Sequence, residues 1–190
     1  MKYLPAFFLF AALISTASSC EDDDGPMDLG PGEEELITSV ELMFVDLGPD
    51  PSVPTSFRFD DNDGPGGNDP VIVGGNLMAN SMYSFNLMLT NGTTSPPEDI
   101  TAEVREESNE HQVFYSASDS NISISYSDMD NEGRPLGLQG ILTTGDASEG
   151  TLSVVLRHEP DKDASGVADG DISNAGGETD VEVTFPINIL

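Results

Sequence analysis

Stretch after stretch of this 190-residue chain alternates apolar and polar side chains with a period of two, and that rhythm narrows the fold more than any other feature. Over residues 36–45, Leu36, Val40, Leu42 and Phe44 fall on one side with Thr38 between them, and Ile37, Ser39, Glu41, Met43 and Val45 on the other. Successive strand residues point to opposite faces, so such a run buries one face and wets the other. Phe57 and Phe59 flank Arg58 in a second run, and Tyr83, Phe85, Leu87 and Leu89 alternate in a third. Residues 113–115, 122–126, 137–143, 152–158 and 181–189 repeat the signal, with turn chemistry between them. The expected fold is an all-β, Ig/fibronectin-like antiparallel β-sandwich of about eight strands with one short amphipathic helix. That helix is read over residues 98–109, where Ile100, Val104 and His111 share a face and acidic residues in the first turn suit the helix dipole. Leu77, six residues before Tyr83, adds the spacing of a tyrosine corner.

The N-terminus belongs to a different class of sequence. Met1 and Lys2 precede an apolar run over residues 4–14, then Ser15, Thr16, Ala17, Ser18, Ser19 and Cys20. A charged start, a short apolar stretch and small residues before a cut are the parts of a cleavable export signal, and the run is too short to span a bilayer. Residues 1–19 are therefore expected to be a lipoprotein signal peptide, with Cys20 lipidated; acyl chains would hold the protein on a membrane. Residues 20–34 read as an acidic disordered tether, because Glu21, Asp22, Asp23 and Asp24 and the following glycines and prolines carry too few apolar groups to order. Residues 35–190 are left for the sandwich, a length suited to one core. Cys20 is the chain's single cysteine, so disulfides and thiolate metal sites within the domain are excluded. The formal charge of −29, from 35 acidic and 6 basic side chains, repels nucleic acid and anionic headgroups.

Several clusters carry chemistry that a ligand could use. Asp60, Asp61 and Asp63 stand in a glycine-rich loop, and Asp128, Asp130 and Glu132 before Gly133 have the spacing of half a calcium loop, with Gln139 where the closing glutamate would be. Asp161 and Asp163 open a long acidic loop over residues 159–180. Calcium at these carboxylates is one expectation; a hairpin turn at 128–133 is the other. His111 and His158 both stand at the ends of predicted elements, where the two can meet at one edge. With Glu110 and Glu159 beside them, they are candidates for zinc or copper, or for an axial bond to haem iron. Each also continues the apolar face of its element, as a core-edge histidine does. No nucleophile elbow, zincin motif or phosphate loop is present, so no enzymatic activity is expected.

A family resemblance rests on Glu33-Glu34-Glu35-Leu36-Ile37-Thr38, Phe57-Arg58-Phe59-Asp60-Asp61, Glu110-His111-Gln112-Val113-Phe114, Leu156-Arg157-His158-Glu159-Pro160 and Gly176-Gly177-Glu178-Thr179-Asp180. With the leader and acidic tether, these segments resemble small Bacteroidota envelope lipoproteins often labelled type 1 periplasmic binding fold superfamily protein. The resemblance implies an outer-membrane, lipid-anchored protein, facing the periplasm or the cell surface. It would act as a ligand-capture or docking module, accessory to a TonB-dependent outer-membrane receptor. The alternative is a structural or adhesive sandwich module whose acidic loops are stabilised by calcium. The label's name denotes a two-lobed α/β architecture, whereas the pattern read from the residues is all-β.

Overall fold

The computed structural model describes residues 35–49, 53–64 and 66–190. The expected leader, tether and Cys20 lie outside the described residues. The strands are β1 (Ser39–Asp46), β2 (Thr55–Asp60), β3 (Val71–Val73), β4 (Gly75–Leu77), β5 (Met82–Thr90), β6 (His111–Ser118), β7 (Ile122–Tyr126), β8 (Gln139–Thr144), β9 (Ser148–His158) and β10 (Glu178–Ile189), with one helix, α1 (Ile100–Glu106). They form a six-stranded sheet in the order β3-β2-β1-β5-β8-β7 and a four-stranded sheet in the order β4-β10-β9-β6. Every pairing is antiparallel except β4 with β10. The protein is an all-β sandwich, as the alternation predicts.

The alternating positions face each other across the sandwich. Val40, Leu42 and Phe44 of β1 and Phe85, Leu87 and Leu89 of β5 are buried in one core with Leu152, Val154 and Leu156 of β9 and Val183, Phe185 and Ile187 of β10. Phe44 meets Phe57, Phe85 and Tyr83 edge-on, with ring centroids 4.9, 6.3 and 6.4 Å apart. Full burial of each such side chain contributes about 1.5–3 kcal/mol. The Tyr83 hydroxyl accepts the Met78 N–H at 2.9 Å, the corner contact that the Leu77–Tyr83 spacing suggests.

Among the described residues ten strands form where about eight are expected. The additional pair, β3 and β4, is short, and β3 is exposed throughout, so no alternation records it. Between them the chain passes from one sheet to the other at Gly74, where a Cβ would collide with the Pro186 carbonyl oxygen.

The helix is shorter than the expected 98–109. Asp99 caps it by accepting the Ala102 N–H, and at its far end the Glu107 carbonyl is taken by the Glu110 N–H at 2.8 Å. The chain turns there, so His111 opens β6 instead of continuing the helix face. Thr101 of α1 reaches the β5 backbone, its hydroxyl accepting the Leu89 N–H at 2.8 Å and lying 3.2 Å from the Leu89 carbonyl. Pairing of β5 with β8 stops at Asn86, so the helix satisfies the strand edge that β8 leaves. The loop between β9 and β10 is ordered over its own small core of Phe114, Val167 and Ala175.

Candidate metal centre

The antiparallel pairing of β6 with β9 sets His111 directly opposite His158 at the last position of the ladder. Their rings stack with centroids 4.7 Å apart and planes 16° from parallel. Along the other edge of β9 the register slips: Thr179 pairs with Arg157 and Val181 with Leu156, leaving Asp180 as the extra residue of a β-bulge. A bulge bends its strand and re-aims a side chain. Asp180, which strict alternation from Val181 would turn outward, instead carries a fully buried side chain against the histidines. Glu35 completes the group from the segment that leads into β1, so a carboxylate next to the six-stranded sheet joins a site otherwise built on the four-stranded sheet.

The ligand atoms of Glu35, His111, His158 and Asp180 all lie within 4.8 Å of one another. His111 Nε2 is 3.3 Å from Glu35 Oε1 and 3.8 Å from Asp180 Oδ2, with side-chain exposures of 0% for both His111 and Asp180 and 8% for Glu35. A tetrahedral ion holding nitrogen and oxygen at about 2.0–2.1 Å would separate its ligands by about 3.4 Å, close to the spacing of His111 and Glu35 and shorter than that of His111 and Asp180. On its other nitrogen, His111 Nδ1 meets the Glu107 carbonyl at 3.2 Å. A carbonyl only accepts, so that contact puts a proton on Nδ1 and leaves Nε2, facing the carboxylates, as the atom that a second proton or a metal ion would take. Metal-binding histidines are commonly oriented in this way.

The buried atoms Glu35 Oε2, His111 Nε2, His158 Nε2 and both Asp180 carboxylate oxygens have no hydrogen-bond partner. The Glu35 backbone N–H favours ionised Asp180 without reaching hydrogen-bonding geometry. Burial, and then the Glu35 charge, push the Asp180 carboxyl up to about 6. Burial also works against ionised Glu35, but the adjacent His111 and the charge of His158 outweigh it and hold this carboxyl below its ordinary value. For His111, burial favours the neutral ring, and Glu35 and Asp180 more than offset that, raising its affinity for a proton. The cluster thus attracts positive charge and contains too little of it.

The sequence reading anticipates the meeting of His111 and His158. It places Glu110 and Glu159 beside them, and these carboxylates do gather at His158, with all three ligand atoms within 4.8 Å of one another. Glu35 and Asp180 are missed as ligands. Glu35 reads as the start of the domain and Asp180 as one acid among many, and no periodicity marks a bulge. Haem does not fit, because the two rings stack on each other and His111 Nε2 faces carboxylates at 3.3 and 3.8 Å.

The calcium candidates do not converge on a centre among the described residues. Asp60 accepts from Ser39 Oγ at 2.9 Å, Asp61 has a buried unpartnered oxygen, and Asp63 takes the Asn68 N–H at 2.9 Å. Asp128 accepts the Gly137 and Gln139 N–H groups at 2.9 and 3.1 Å. Asp130 accepts the Glu132 and Arg134 N–H groups and is bound by Arg134 Nε at 2.9 Å and Lys162 Nζ at 3.1 Å. Glu132 pairs with Arg134 at 3.3 Å. Two cationic side chains occupy the place a calcium ion would take, and the segment forms the turn between β7 and β8. Asp161 accepts the Asp163 N–H at 3.2 Å, and Asp163 lies 3.5 Å from Arg134.

Comparison with known proteins adds no second source of inference: no family model matches the chain, and no curated protein or solved structure matches it significantly.

Proposed function

We propose that this protein is a non-enzymatic, lipid-anchored envelope lipoprotein that captures a divalent transition-metal ion, zinc or copper, at Glu35, His111, His158 and Asp180. The observation that carries the reading is the set of buried nitrogen and oxygen atoms left without hydrogen-bond partners on all four side chains. Each buried group of that kind costs about 1–3 kcal/mol unless something binds it, and one divalent cation would satisfy all four. Two imidazoles with two carboxylates suit zinc or copper better than the oxygen-only shell of calcium. Four protein ligands leave no open position for a reacting water, which favours retention of the ion over catalysis. The leader, Cys20 and the acidic residues behind it support an outer-membrane location, and the lipoprotein resemblance supports service beside a TonB-dependent receptor.

The test uses residues 20–190, which retain every described element. An ion bound only by the native state at about 100 times its Kd adds about 2.7 kcal/mol of stability, which for a domain of this size raises Tm by about 5–10 °C. Zinc or copper should produce that rise and calcium should not. The gain should disappear in His158→Ala, whose ring lies at the edge of the core. A panel in which neither zinc nor copper moves the melting curve would sink the proposal.

A further inference from the structure

The inner four groups are shut away from solvent, which raises the question of how a hydrated ion reaches them. His158 is the one member shared with a second group. Its buried Nε2 has no hydrogen-bond partner and stands 4.0 Å from Glu110 Oε2, on a side chain that is 48% exposed. Glu159, also exposed, brings its carboxylate within 4.8 Å of both. The backbone holds this arrangement: the Glu159 N–H donates to the Glu110 carbonyl at 2.6 Å, and Glu159 takes a left-handed φ of 49° as the chain turns out of β9. Non-glycine residues seldom adopt that conformation, and here it keeps the acidic side chain next to the histidine.

We propose that Glu110, Glu159 and the His158 between them form an outer cation site through which the metal passes to the buried centre. The proposal rests on the metal-capture reading above and assigns it a route. The outer carboxylates can bind a cation that still carries water, because both face solvent. His158 belongs to both ligand sets, so an ion can exchange the outer oxygens for His111, Asp180 and Glu35 without passing through a state free of protein ligands. The general negative charge of the molecule raises cation concentration everywhere on its surface, whereas this pair adds a defined point of capture.

Cobalt(II) provides the probe, since its visible absorption rises on tetrahedral coordination and can be followed by stopped flow with residues 20–190. Neutralising the pair, in Glu110→Gln with Glu159→Gln, should slow both uptake and release about tenfold, within the range that local charge contributes to association rates. The equilibrium affinity should stay within about twofold, because the pair touches only the ion in transit. Glu149→Gln with Glu182→Gln removes the same charge from exposed positions of β9 and β10, and should slow uptake by less than about twofold through charge alone. Wild-type rates in the Glu110/Glu159 variant, or rates equal to the control, overturn the route while leaving the buried site standing. A fall in affinity with uptake unchanged also overturns it, because the acids would then be ligands of the final complex. If the unaltered protein takes up no cobalt, zinc or copper, the route and the metal-capture reading fall together.

Discussion

Under the proposed metal capture, Asp180 has opposite effects on the metal-free and metal-bound protein. In the metal-free state its carboxylate is buried beside Glu35 with no donor on either oxygen, a combination that raises its proton affinity and works against folding above the ordinary carboxylate range. Asp180→Asn removes the like charge and should raise the urea midpoint of the metal-free protein by the equivalent of about 1 kcal/mol. The same change deletes a proposed ligand. Its effect on zinc affinity should be at least the roughly tenfold loss seen when groups behind a ligand are altered. Calorimetric titration beside urea unfolding checks both, and movement of stability and affinity in the same direction would contradict the assignment. Among the residues of the centre, the histidines were legible because each stands at the end of an expected element, His111 after the helix and His158 at the close of a run of alternation. Asp180 was not, because period two assigns it to the outer face and only the bulge reverses that. Glu35 was equally hidden, since its partners lie at least 76 positions away in the chain.

At the scale of elements, the hairpin joining β7 to β8 is held by a buried ion-pair network instead of a bound cation. Lys162 Nζ donates to the Ser108 carbonyl at 2.6 Å, the Pro135 carbonyl at 3.2 Å and Asp130 at 3.1 Å, tying the long β9–β10 loop to the β7–β8 turn and to the end of α1. Burial alone would raise the Asp130 carboxyl, but the backbone N–H groups of Arg134 and Glu132 and the Lys162 ammonium bring it down to about 2. A carboxyl lowered on folding gives stability that is complete above its unfolded value near 3.8 and is lost as pH falls toward 2. The contribution is about 2 kcal/mol. Urea midpoints measured between pH 5 and pH 2 should fall less steeply for Asp130→Asn than for the unaltered protein, and parallel slopes would refute the link. The half calcium-loop spacing was visible in sequence; Lys162, distant in the chain, was not, and it determines what the acids bind.

For the whole molecule, the proposed metal centre and the proposed anchor lie on one line of chain. Glu35 is 15 positions after Cys20, so the segment that carries one proposed ligand also carries the proposed lipidation site. Cys20→Ser should move the protein from the membrane fraction to the soluble fraction of the producing cell while leaving its zinc affinity unchanged, because Cys20 is not among the four proposed ligands. Fractionation with an antibody to the sandwich checks the first part. Retention of the serine variant in the membrane would remove the lipid anchor from the account.

Sequence alone determined the class of fold and most of its strands. The alternation of side chains is a local property, and it marks β7 over residues 122–126 and the body of the long strands β1, β5, β9 and β10, whereas in β6 it marks only residues 113–115. It also determined the charge, the absence of disulfides and the standing of both histidines at the ends of elements, although only the structure showed that His111 opens a strand and does not close a helix. Tertiary structure decided the number of strands, because β3 and β4 are too short to show a period. It decided the composition of the centre as well. A register slip of one residue at Asp180 and the approach of Glu35 from the segment that leads into β1 are products of packing between distant segments, and no local pattern of residues encodes them.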